Sequence, residues 1–201
     1  MDRVRLFPPQ GRLYERSQEL IFREVEDRDL IAKARRGDVE AYNLLVSRWE
    51  KRVFNYLLRL VSNREDALDL SQDVFLKAYQ NLPKLDDVER FPAWLFRIGH
   101  NEAFSLLRRR RPEGDLAQEP RTSQPGARLL PIELSLAVES ALRRLGEDQR
   151  EAVLLKVYQG FKFDEMAEIL GCPVSTDKSR LYTALDLLKT TLAPMVSREE
   201  S

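Results

Sequence analysis

Residues 168–188 read EILGCPVSTDKSRLYTALDLL, two apolar periodic stretches broken by Gly-Cys-Pro. A short helix, a glycine-centred turn and a longer helix make the helix-turn-helix arrangement, whose second helix lies in a major groove with its amino-terminal side chains toward base edges. The turn is predicted at 171–174. Ser175 and Thr176 then stand at a helix start, where hydroxyls and free backbone N–H groups can hold a phosphate. Lys178, Ser179, Arg180 and Tyr182 follow within the first two turns, in reach of base edges or backbone. Asp177 is expected to face solvent or to cap the helix, where an acid is favoured by up to ~1 kcal/mol. A plain helical hairpin would carry the same residues, and these residues alone leave both readings open.

Upstream, apolar residues recur at helical spacing from Asp27 onward and almost nowhere alternate as in a half-buried strand, which predicts an all-α protein. Asp27 or Asp29 can cap a short helix through Arg36 that Gly37 ends. Asp38 caps a long one carrying Ala41, Leu44, Leu45, Trp49, Val53, Leu57 and Leu60. Asn63 caps the next, which Pro83 stops, and Pro92 suits the first turn of a helix that ends in arginines. Residues 112–131 hold four prolines and two glycines in twenty positions, the composition of a flexible linker. The chain therefore divides into an extension over 1–26, a helical domain over 27–111, the linker, a helix-turn-helix domain over 132–192 and a tail over 193–201. At 201 residues and 43% hydrophobic content it can bury one medium core or two small ones, and the linker favours two.

Thirty-three basic and thirty-three acidic residues give zero formal net charge, so any polyanion site has to be local. One cysteine, Cys172, allows no internal disulfide, and with one histidine, His100, no metal cluster of the usual His/Cys type is expected and no cofactor. Cys172 is expected to pack in the turn, and His100 to line a groove or the surface. The amino terminus lacks the apolar run of a signal peptide, and no stretch approaches the ~18 apolar residues of a membrane span, which predicts a cytoplasmic protein. Nucleophile, base and orienting group nowhere stand together at recognisable spacing, so an enzyme is not expected.

Local charge is uneven. Residues 164–190 hold five acids against three bases, a poor endowment for an autonomous DNA binder, whereas 97–111 hold five arginines against Glu102 alone. Arg97, Arg108, Arg109 and Arg110 are candidate phosphate contacts; about four such cations would give a log–log salt slope of roughly −3 to −4. Trp94 and Phe104 lie among them, and core packing is the commoner fate of such rings than base stacking.

The strings RRGDVEAYNLLVSRWEKRVFNYLLRL, REDALDLSQDVFLKAYQNLPKL, FPAWLFRIGHNEAFSLLRRRR and LGEDQREAVLLKVYQGFKFDEMAEILGCPVSTDKSRLYTAL resemble, in order, successive segments of the extracytoplasmic-function sigma factors of bacterial RNA polymerase. The resemblance covers roughly residues 27–190 apart from the linker. It implies a specificity subunit that binds core RNA polymerase and promoter DNA, and an anti-sigma factor that often holds such a protein at the membrane. Carried over by position, Asp66, Asp69, Gln72, Asp73, Phe75 and Lys77 match the helix that docks on the polymerase clamp. Asn101 matches a residue that captures a flipped base of the −10 element, beside a loop at 84–89, and Trp94 joins the DNA-binding set. Lys156, Ser175, Thr176, Lys178, Ser179 and Tyr182 match positions that contact the −35 element. Departures are Asp177 and Thr183, where the family commonly has valine and arginine, and Leu68 and Ser105 in place of common acids. Asp177 and Thr183 leave open a sigma mimic that binds an anti-sigma factor without starting transcription.

Overall fold

The computed structural model describes residues 25–110 and 132–196, with side chains at all of these except 132–135 and 194–196. The expected linker, nearly all of the extension and the end of the tail lie outside the described residues. Within them every regular element is helical, as the periodicity predicts. Helix α1 (Asp27–Ala34) ends two residues earlier than expected, in a turn where Gly37 takes a φ of +92°. Helix α2 (Val39–Val61) starts at Asp38, whose side chain accepts the Ala41 N–H at 3.0 Å, and α3 (Arg64–Asn81) starts at Asn63, which accepts the Asp66 N–H at 3.1 Å. Both are the expected caps, short polar acceptors placed on amides that the helix leaves unpaired. Two 3₁₀ turns, Leu82–Lys84 and Val88–Arg90, then lead into α4 (Phe91–Arg110).

The second half holds α5 (Ile132–Arg143), α6 (Glu147–Val153), α7 (Phe163–Leu170) and α8 (Val174–Val196). Helix α6 runs on as a π turn, Leu154–Tyr158, where the Gln159 N–H reaches back five residues to the Leu154 carbonyl. Gly171 closes α7 in the left-handed region at φ +65°, and α8 begins at Val174, so the turn spans 171–173, one residue shorter than expected.

Two separate small cores were the expectation, and in the structure the buried residues of both halves form one continuous cluster. From α2 come Tyr42, Leu45, Trp49, Val53, Tyr56, Leu57 and Leu60; α3 adds Leu70, Val74 and Phe75. Helix α4 lies close on α2 at Gly99, where a Cβ would just touch the Tyr56 ring at 3.4 Å, and the Tyr56 and Phe96 rings meet tilted at 54° with centroids 5.0 Å apart. The second half joins through Phe161, edge-on to Phe96 at 5.0 Å, with Leu154, Leu155, Met166 and Ile169 buried in the same cluster. In this closed arrangement α2 and α4 cover the apolar side of α6 and α7.

Candidate nucleic-acid interface

Counting about 100° of rotation per residue along α4, Trp94, Arg97, Asn101 and Arg108 fall within roughly 60° of arc, one stripe of the helix. Arg97, Asn101 and Arg108 are exposed on it; Trp94 is half-buried, its ring 6.0 Å from Phe91 and tucked against the core. Arg109 lies at the stripe's edge and donates to the Ser105 carbonyl at 3.2 Å. Arg110 points to the far side, where its guanidinium grips both oxygens of Asp66 on α3, one of them at 2.6 Å. The four arginines are therefore not one patch. Phe104 is half-buried, with the His100 ring 4.5 Å away.

Beside the stripe, the 82–90 loop is anchored by buried Leu82 and Leu85, and Arg35, just past the end of α1, donates to the carbonyls of both. Lys84, Asp86, Asp87 and Glu89 remain exposed, an edge richer in acids than in bases.

On α3, Asp69, Gln72, Asp73 and Lys77 are exposed on a common face, joined by two apolar residues absent from the expected set, Leu68 and Leu76, 44% and 41% exposed. Lys77 pairs with Glu102 at 2.5 Å, and Asp66 is occupied by Arg110. Phe75 sits at the inner margin of that face, 3% exposed, with Tyr42 donating to its carbonyl; its ring supports the face from within rather than offering itself to a partner.

Helix α8 presents Ser175, Lys178, Ser179 and Tyr182 to solvent on one side, with Tyr182 58% exposed. Thr176 is half-buried. Arg180 turns back to α6 and binds Asp148 at 2.6 Å, so its charge is already met within the fold. The fold brings Lys156 to this helix: its Nζ lies 4.7 Å from the Phe163 ring centre, with Lys178 Nζ on the same ring at 5.4 Å, and it donates to the Phe161 carbonyl at 3.0 Å.

Asp177 corrects the sequence reading. It neither faces solvent nor caps the helix; it is fully buried, accepts the Cys172 thiol at 2.8 Å through Oδ1, and leaves Oδ2 without a partner among the described residues. Spacing explains it, because 177, 181 and 184 share the inner side of α8, where Leu181 and Ala184 are also buried. Cys172 packs in the turn as expected, and its thiol is pushed up to about 11, first by burial and then by the hydrogen bond and charge of Asp177. His100 proves to be neither groove-lining nor superficial, but half-buried between the two halves with Nδ1 2.8 Å from Glu151 Oε1. Among the described residues no group of His, Cys, Asp and Glu is placed to hold a metal, and no helix is long and apolar enough to cross a membrane.

Two helical modules, one with a basic and amide-bearing stripe and one with a helix-turn-helix, thus make a bipartite nucleic-acid binder. The sequence matches the family models Sigma-70 region 2 over residues 45–113 and Sigma-70, region 4 over residues 135–188. It is 32% identical over 187 residues to the ECF RNA polymerase sigma-E factor of Haemophilus influenzae, covering 86% of this chain and 98% of that one. To the RNA polymerase sigma-H factor of Pseudomonas aeruginosa it is 31% identical over 186 residues, covering 85% and 96%. The solved structure of the sigma factor RpoE in complex with the anti-sigma factor NepR from Bartonella quintana superposes with a TM-score of 0.66 at 30% identity, covering 74% of this chain and 94% of that one. The chain belongs to the extracytoplasmic-function sigma factors of RNA polymerase.

Proposed function

We propose that this chain binds core RNA polymerase, directs it to −35 and −10 promoter elements and helps to open them, as a specificity subunit and not as a catalyst. The observation that carries the reading is the α4 stripe. Arg97 and Arg108 offer charge to a strand backbone, while Asn101 between them has both donors and acceptors for an unpaired base edge. Ser175, Lys178, Ser179 and Tyr182 of α8, with Lys156 beside them, would meet the −35 duplex. The α3 face of Asp69, Gln72, Asp73, Leu68 and Leu76 would dock on the polymerase, acids around an apolar centre suiting a basic partner with a greasy contact.

Magnitude assigns the melting. Opening ten base-pair steps costs roughly 14 kcal/mol of stacking, and each captured base returns only ~1–3 kcal/mol. Two or three captured bases bias an opening that the polymerase sustains. Tethering on one polymerase raises the effective concentration of each weak module for its element. A cytoplasmic protein with an anti-sigma factor as regulator is the corresponding cellular reading, supported by the relative's complex with one. The rival, a sigma mimic, drew on Asp177 and Thr183; Asp177 is buried under the helix and removes no contact, while Thr183 is exposed on α8 and supplies no charge to the DNA face. Run-off transcription with purified core polymerase tests the proposal. Promoter-dependent transcripts are expected, with Asn101→Ala reducing them at least tenfold; a chain that binds polymerase and yields none would overturn it.

A further inference from the structure

We infer that the chain latches itself shut through Glu151, in a form that cannot reach both promoter elements at once; the inference rests on the promoter-binding reading above. Glu151 lies on α6 in the second half and is 1% exposed. Its Oε1 accepts the Tyr56 hydroxyl from α2 and lies 2.8 Å from His100 Nδ1 of α4. A carboxylate taken out of water is costly unless hydrogen-bonded, and Tyr56 and His100 both come from the other half of the chain. The knot therefore exists only while the halves are together, and parting them returns Glu151 to solvent.

Around it the seam is stitched at its rim. Arg52 donates to the Gln159 side chain and carbonyl at 3.2 and 3.1 Å, Arg150 reaches the Leu60 carbonyl at 3.4 Å, and Arg90 pairs with Glu168 of α7. The Arg90 contact fastens the end of the 82–90 loop to the helix-turn-helix. Phe161 on Phe96 supplies the apolar middle.

Geometry makes this closure inhibitory. Elements about 25 base pairs apart lie roughly 85 Å from one another along duplex at about 3.4 Å per pair. In the closed form α7 packs directly on α4, and α8 follows α7 after a three-residue turn, so the two reading faces are held within a single small body. Binding at both elements requires the halves to part, and the competent fraction of free chain scales its apparent affinity.

Tyr56→Phe keeps the ring and removes the donor. Loss of one hydrogen bond to a buried carboxylate shifts the closed-to-open ratio by about tenfold to a hundredfold toward open. The exposed rim variant Arg90→Ala provides a second perturbation that leaves the core untouched. Small-angle scattering on the full chain is expected to give a compact wild type and a more extended Tyr56→Phe, with the Arg90→Ala, Tyr56→Phe double variant more extended still. In run-off transcription the variants are expected to reach half-saturation of core polymerase at correspondingly lower concentration. Scattering and titration curves that coincide with wild type for all variants would overturn the latch, as would a wild type that is already extended. Absence of a promoter-dependent transcript from every chain, wild type included, would instead overturn the promoter reading, with scattering alone then deciding the latch.

Discussion

Replacing Asp177 by valine is expected to stabilise the protein. The acid is fully buried, its Oδ2 has no partner among the described residues, and Oδ1 is met only by a thiol, a weak donor. Burying a carboxylate costs several kcal/mol even after relaxation, a hydrogen bond to a charged group returns at most ~1.5–3 kcal/mol, and the amino-terminal position on α8 returns up to ~1 kcal/mol. Valine is close in size, has nearly the same helix propensity and needs no partner, while the Cys172 thiol loses little by losing its acceptor. The difference amounts to a gain of about 1–2 kcal/mol, or about 2–8 °C in Tm for a chain of this size. Urea and thermal unfolding followed by circular dichroism, checked for coincident transitions, measure it. A loss of more than about 1 kcal/mol would refute the reasoning and show that the Asp177–Cys172 contact orders the turn.

The same substitution acts on Cys172. With its thiol at about 11 instead of the ordinary 9, wild type carries about a hundredfold less thiolate than a free cysteine at pH 8; alkylation should be slow there and rise about tenfold per pH unit up to that value, while Asp177→Val speeds it, burial alone remaining to hold the proton. Arg108→Ala should weaken single-stranded −10 DNA binding by polymerase-bound protein and flatten its salt slope by about 0.7, whereas Arg110→Ala, whose guanidinium is held by Asp66, should leave the slope unchanged. Lys178→Ala should reduce use of −35-dependent promoters about fivefold to tenfold with little change in stability, as expected for an exposed side chain, in transcription assays with and without that element.

How far the sequence could be read follows from how local each feature is. Asp38 and Asn63 were legible as caps because a cap depends on a few neighbouring residues and their amides. The turn at Gly171 was legible for the same reason. The run of arginines was read as one patch, although 100° per residue already separates Arg110 from Arg108; only the presence of Asp66 across from it makes the division matter. Asp177 was misplaced because a charged residue argues for solvent, while its three-residue and four-residue spacing to Leu181 and Ala184 argues for the interior, and spacing prevailed. Phe75 was placed in the docking set by its position along the chain, and the structure keeps it in the core. Glu151 could have been suspected, since it opens the apolar run EAVLL, but its partners Tyr56 and His100 lie 95 and 51 residues away in sequence, and no local pattern names them.

The widened coil at Leu154–Tyr158 gives the chain one spare residue of slack. A π bulge is an α-helix that has absorbed a single extra amino acid without displacing what flanks it, and Val157, the bulge residue most open to water at 59%, is the natural surplus. Excision of that one residue should therefore heal the coil to ordinary α geometry, whereas removal of a residue from the neighbouring α7 would swing everything beyond it by about a quarter turn. A one-residue change of length in this chain is thus expected to be absorbed at this point and to displace the helix-turn-helix a few residues later.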